Sequence, residues 1–310
     1  MGTLIAPYLK AVRPRQWTKN LIVFAAPLFA FQLSPLTLLN ASLAFVLFCC
    51  ASSSFYLFND LADVEADRQH PVKCKRPIAA GLIPIPTAIA LAIGLIGVAL
   101  IGGWLKAPGL GLAILAYALL QVAYNLILKH KVIVDVIAIA AGFVLRAWGG
   151  GAATGIGLSP WFLLCTAMLA LFLGVEKRKA ELRLMEEGGG KTRRVLHRYS
   201  HLLLSRMEGT VTTSAFLAYA LWSSGPKVGG ATTPWMMLTL PFVLYGIFRY
   251  QLLSDPKEIA RRNPDGGAVG GQTERPEEVL LRDRPILATV IGWILTSFVI
   301  LLLKRQGLIQ

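Results

Sequence analysis

Uncharged apolar stretches of about twenty residues alternate with short, strongly charged ones along most of the chain. A stretch of that length crosses about 30 Å of hydrocarbon as a helix. The pattern predicts nine spanning helices, over 20–33, 37–58, 83–104, 109–128, 132–150, 159–175, 210–223, 234–253 and 285–303. The first is short unless it begins at Trp17, and Thr and Ser dilute the seventh. The polar segments predict loops at 59–82, 176–209 and 254–284, with residues 1–310 forming one all-α, polytopic membrane domain.

Composition agrees, with 55% hydrophobic and 15% charged residues. A net charge of +14 raises nucleic acid as a partner, but the bases sit in loops between spans, which is a topology pattern and excludes that class. With the N-terminus inside, 26 of the 31 Lys and Arg fall in cytoplasmic segments. Outside lie Lys106, Lys227, Lys304 and Arg305, and Arg146 lies within a span. The positive-inside rule therefore predicts a cytoplasmic N-terminus, an odd number of spans, and charged chemistry on the cytoplasmic side of the plasma membrane. Four cysteines form no metal or redox motif.

The densest charge is in Asn59–Gly81, NDLADVEADRQHPVKCKRPIAAG, directly after an apolar run. Four acids, Asp60, Asp63, Glu65 and Asp67, precede four bases, Arg68, Lys73, Lys75 and Arg76. Charges at the mouth of a span are costly unless they bind something. Asn59, Asp63 and Asp67 stand at i, i+4 and i+8, and Asp60 is three before Asp63, so a helix would present them on one face. Hard oxygen ligands of this kind suit Mg2+, whose shell is completed by water and substrate phosphate. Tyr56 lies one turn earlier, and Lys73 and Arg76 are placed to meet the phosphates.

Other polar positions fall at span ends. YNLILK runs from Tyr124 to Lys129, and the next span carries Asp135 and Arg146. An arginine in an apolar helix faces a partner, a cavity or a ligand. Gly149–Gly151 permit close helix approach. GVEKRKAEL places Lys177 and Arg178 at the end of a span, where they suit phosphate; the distal bases Lys191, Arg193, Arg194 and Arg198, beyond a Gly188–Gly190 break, suit anionic lipid. Gly266–Gly271 read as a loop tip, and Pro276–Glu278 as a helix start. His70 and His130 read as solvated or interfacial.

NDLADVEADR resembles the NDxxDxxxD signature of UbiA-type intramembrane prenyltransferases. RPRQWTKN, YNLILK, GFVLR and EKRKAEL are similar to the branch that transfers phosphoribose from phosphoribosyl diphosphate to decaprenyl phosphate. The resemblance implies nine transmembrane helices around a cavity open to the cytoplasm and laterally to lipid. It implies Mg2+ on Asn59, Asp60, Asp63 and Asp67, with the three aspartates catalytic. Lys19, Tyr56, Lys73, Arg76, Tyr124, Lys129, Arg146, Lys177 and Arg178 would bind phosphoribosyl diphosphate and a polyprenyl phosphate. A homo-oligomer is compatible with it. UbiA members that prenylate aromatic acceptors carry a second acidic motif near the end of the sixth span, where this chain has the basic EKRKAEL. That departure disfavours prenyl transfer, and the clustering of charge at one membrane face disfavours a transporter.

Overall fold

The computed structural model describes residues 2–70, 72–186, 194–262, 279 and 283–309. All regular structure among them is helical: α1 (Gly2–Val12), α2 (Ala25–Phe29), α3 (Pro35–Ala62), α4 (Val64–Arg68), α5 (Ile85–Lys106), α6 (Pro108–Leu126), α7 (Val134–Thr154), α8 (Pro160–Glu186), α9 (His201–Ser223), α10 (Leu240–Leu253), α11 (Pro256–Arg262) and α12 (Arg284–Arg305). Tight 3-10 segments cover Pro14–Phe24 and Pro234–Thr239. Seven of the described helical stretches are long and apolar enough to cross a membrane: α3, α5, α6, α7, α8, Pro234–Leu253 and α12. They match seven of the nine predicted spans. Of the others, 210–223 forms the second half of α9, and 20–33 lies on the Pro14–Phe24 segment and α2. Gly188–Gly190, Lys191, Arg193, Gly266–Gly271 and Pro276–Glu278 lie outside the described residues.

Two helices run further than their apolar stretches. Ser34 caps α3, its hydroxyl accepting from the Thr37 amide at 3.2 Å, with Pro35 in the first position. The helix continues to Ala62, so Asn59 and Asp60 lie in its last turn rather than in a loop. Likewise α8 runs through Glu186 and carries the whole EKRKAEL motif in helical form. An apolar window ends at the first charge, but backbone hydrogen bonding does not.

The chain divides into two compact units. One comprises Met1–Pro27, Leu33–Asn125 and Leu145–Ile156; the other comprises Leu28–Gln32, Leu126–Val144 and Gly157–Gln310.

In the first unit, α3 packs on α5 and on the Pro14–Phe24 segment. The contact faces are small: Ala44, Ala51 and Ser52–Ser54 on α3, and Ala88, Ala92 and Ala99 on α5, are buried. Lipid gives no hydrophobic drive between helices, so close backbone approach and interhelical hydrogen bonds must supply it. The Ser54 hydroxyl donates to the Ala92 carbonyl at 2.8 Å, and the Trp17 indole donates to the Ser53 hydroxyl at 3.0 Å. The predicted glycine contact is present: a Cβ on Gly149 would sit 2.6 Å from the Phe48 ring, and one on Gly150 would sit 2.2 Å from the Val23 carbonyl oxygen.

In the second unit, α8 packs along α9, and α10 packs on α12. The Trp293 indole donates to the Tyr219 hydroxyl at 2.7 Å, which is itself bonded to Thr239 at 2.5 Å. Arg249 on α10 holds Asp283 through two nitrogens, at 3.2 and 3.0 Å, while Asp283 caps α12 by accepting from the Ile286 amide.

The Val23 carbonyl belongs to the backbone and cannot swing aside. Gly150→Ala is therefore expected to cost about 1–3 kcal/mol by overpacking. A lower thermal midpoint of detergent-solubilised protein would show it. Gly94→Ala, with no atom within 4 Å of the added carbon, is expected to leave the midpoint unchanged or slightly raised.

Candidate active site

The acidic stretch folds as the end of α3, a one-residue break at Asp63, and α4. Asp60 and Asp67 are seven residues apart, close to two helical turns, and so share a face. Both are buried, at 3% and 2% exposure. Asp63 is exposed at the break, and Asn59 is partly buried. The structure thus brings Asp60 and Asp67 together and leaves Asp63 apart from them. Among the described residues no group of three or more His, Cys, Asp or Glu is arranged to hold a metal.

Cations fill the space between the two carboxylates. Nη1 of Arg76 lies 2.9 Å from Asp60 and 2.6 Å from Asp67, bridging them. Arg13 reaches Asp60 at 2.5 Å, with its guanidinium 4.9 Å from the Tyr56 ring centroid. Lys73 Nζ stands 3.9 Å from Asp67. Arg13 occupies the left-handed region, at φ +52°, at the join of α1 and the Pro14–Phe24 segment. Such a backbone costs about 1–3 kcal/mol in a non-glycine residue and persists only when its surroundings hold it; here the ion pair to Asp60 does so. The basic loop is tied back by the Lys10 ammonium, which donates to the Lys75 carbonyl at 3.0 Å. His70 Nδ1 accepts from the amides of Val72 and Lys73.

Deeper in the same unit, Arg146 donates to the Asn20 side-chain oxygen at 2.6 Å and to the Tyr117 hydroxyl at 2.9 Å. Asn20 in turn donates to Cys49 and Ser52. Lys19 donates to Gln16 at 2.5 Å, and Tyr124 is partly buried near the end of α6.

The second unit holds the other predicted bases. Arg178 is fully buried and ion-paired to Asp135 at 2.7 Å and to Glu181. Tyr199 donates to the other Asp135 oxygen at 2.7 Å and accepts from the Ile133 amide at 2.7 Å. Burial, with the Asp135 carboxylate adding to it, holds the Tyr199 hydroxyl above its ordinary range, so it remains a donor. Lys179 bridges Glu176 at 3.1 Å and Glu208 at 2.5 Å; Ser254 donates to Glu176, and Gln251 to Glu208 at 2.8 Å. Lys177 is the outward base of the motif, its side chain one-third exposed and 3.9 Å from Glu181. The Lys129 side chain takes no hydrogen-bond or ion-pair partner among the described residues.

Arg13, Asn20, Tyr117 and Glu208 take part in these networks without a role assigned from the sequence. Arg13 and Asn20 were open to detection, since RPRQWTKN is a polar stretch at a predicted span. Tyr117 and Glu208 carry no local signal.

The model of the UbiA prenyltransferase family matches residues 20–264. The chain belongs to that family and is an integral membrane protein. It is 38% identical over 301 residues to the decaprenyl-phosphate phosphoribosyltransferase of Mycobacterium tuberculosis, covering 95% of this chain and 94% of the relative. It is 39% identical over 306 residues to the protein of the same name from Mycolicibacterium smegmatis, covering 94% and 91%. Among solved structures, the UbiA homolog of Archaeoglobus fulgidus bound to DMAPP and Mg2+ shares the fold, with a TM-score of 0.66 at 18% identity over 94% of this chain and 98% of that one.

Removing the shared cation should expose the strain of the buried acids. Arg76→Met is expected to destabilise by about 3 kcal/mol, the low end for breaking a buried pair because Arg76 is partly exposed. Adding Asp67→Asn should recover part of it. Thermal unfolding of the three proteins in one detergent checks this, and an Arg76→Met midpoint equal to wild type would contradict the bridge.

Proposed function

We propose that the protein transfers 5-phosphoribose from phosphoribosyl diphosphate to a polyprenyl phosphate, releasing diphosphate at the cytoplasmic face of the plasma membrane. The observation that carries the substrate assignment is the 38% identity to a decaprenyl-phosphate phosphoribosyltransferase along 95% of the chain. The site supports it: Arg13, Lys73 and Arg76 surround a buried carboxylate pair, a mixed-charge surface suited to a diphosphate and its cation.

The donor set fits Mg2+. A cationic nitrogen already bridges Asp60 and Asp67, and Mg2+ commonly binds through one or two carboxylates plus substrate phosphate. Asp60 and Asp67 would hold it. When bound, the ion neutralises charge developing on the leaving diphosphate.

Arg13, Lys73 and Arg76 bind the diphosphate, joined by Lys19, and Tyr56 orients the ribose. An oxygen of the acceptor phosphate attacks ribose C1 as the bond from C1 to the diphosphate oxygen breaks, and the electron pair leaves with diphosphate. The acceptor is already an anion at pH 7, so no residue needs to remove a proton. In-line attack inverts C1, converting an α donor to a β product. Lys129 and Lys177 serve the acceptor phosphate. Arg146 and Arg178 keep the frame through Asn20, Tyr117, Asp135 and Glu181.

Purified protein should move label from phosphoribosyl diphosphate to decaprenyl phosphate, with mass spectrometry giving the lipid product. Asp67→Asn is expected to lower kcat by about 100-fold or more. Mg2+ with phosphoribosyl diphosphate should raise the thermal midpoint of wild type and not of Asp67→Asn. Consumption of prenyl diphosphate and an aromatic acceptor instead would refute the assignment.

A further inference from the structure

The connection between α6 and α7 is built unusually. After the 3-10 turn Leu128–His130, Ile133 takes φ +71°. For a β-branched residue this is a true outlier, because its Cβ crowds the backbone. Strain of this kind survives only where neighbours over-determine it, and it clusters at binding sites.

The neighbours are identifiable. The Ile133 amide donates to the Tyr199 hydroxyl at 2.7 Å. That hydroxyl donates to Asp135 at 2.7 Å, and Arg178 donates to the remaining Asp135 oxygen at 2.7 Å. Asp135 and Arg178 are both at 0% exposure. The Ile133 carbonyl then accepts from the amides of Val136 and Ile137, starting α7. Three elements therefore converge to hold one strained residue.

The turn so fixed presents Lys129 and Lys131 between exposed apolar residues, Leu126 and Ile127 before them and Ile133 and Val134 after. It joins two membrane-crossing helices, so it stands where acyl chains meet headgroups. Two ammonium groups flanked by lipid-facing side chains match a phosphate monoester on a hydrocarbon tail better than a water-soluble sugar phosphate.

We infer that Tyr199 and Arg178 are positioning residues that, through Ile133 and Asp135, fix the Lys129–Lys131 turn as the headgroup site for the lipid phosphate. The inference rests on the acceptor assigned under Proposed function. It also moves Arg178 from substrate contact to support.

The test uses full-length protein in liposomes of neutral phosphatidylcholine. The Kd for decaprenyl phosphate is measured directly, and the KM for each substrate by turnover. Tyr199→Phe keeps the ring and removes the hydroxyl. It is expected to raise Kd and KM for decaprenyl phosphate about tenfold, equivalent to about 1.4 kcal/mol, while KM for phosphoribosyl diphosphate stays within about twofold. Adding Ile133→Gly, which takes positive φ without strain, should restore most of the affinity. Ile133→Pro, which can neither adopt that φ nor donate an N–H, should reproduce the loss independently. Equal rises in both KM values, no rescue by Ile133→Gly, or unchanged affinity in Ile133→Pro would each overturn the inference. Competition by phosphatidylglycerol as strong as that by decaprenyl phosphate would assign the turn to bulk anionic lipid and overturn it too. Absence of phosphoribosyl transfer by wild type would refute the function above, and the Kd comparison would still decide whether Tyr199 and Arg178 position the Lys129–Lys131 turn.

Discussion

A carboxylate taken out of water at a membrane surface must find a cation, and that requirement shapes both compact units. Asp60 and Asp67 share Arg76 between them, and Arg76 reaches them because the basic loop doubles back after α4. The same demand puts Arg13 into a left-handed backbone. In the second unit, Asp135 draws Arg178 inward, and Glu176 and Glu208 share Lys179. Asp60, Asp135 and Glu208 each pair with a base well removed in sequence, so charge pairing fixes how loops return as well as how helices pack. Removing one partner is costly, since the other remains desolvated.

Polar residues inside the spans obey a milder form of the same rule. Ser54 spends its hydroxyl on the Ala92 carbonyl, and Asn20 is held by Arg146 while it donates to Cys49 and Ser52. Such bonds, with glycine and alanine contacts, supply the specificity that apolar packing in lipid cannot.

The helices were legible because apolar length alone marks a span, and seven of the predicted stretches coincide with described membrane-length helices. Their ends were not, because a charge stops an apolar window while α3 and α8 keep their hydrogen-bond ladders through Asn59–Ala62 and Glu176–Glu186. The acidic stretch was visible as a candidate site. Periodicity placed Asn59, Asp63 and Asp67 on one face, but the break at Asp63 and the pull of Arg76 make Asp60 and Asp67 the pair. EKRKAEL was visible as a run of bases. Whether a base points outward, as Lys177 does, or inward, as Arg178 does, depends on Asp135 some forty residues earlier in the chain, and no local pattern carries that information.

The length of α8 has a mechanical consequence. At about 1.5 Å per residue, its 27 residues make a rod of about 40 Å, longer than the roughly 30 Å hydrocarbon layer. The excess is the charged end, and it is rigidly continuous with the part that touches acyl chains. A thicker or thinner bilayer is met by helix tilt, and tilt at the lipid level swings Lys177 and its neighbours through the headgroup layer as one body. Bilayer thickness thereby becomes a setting on the height at which those charges stand.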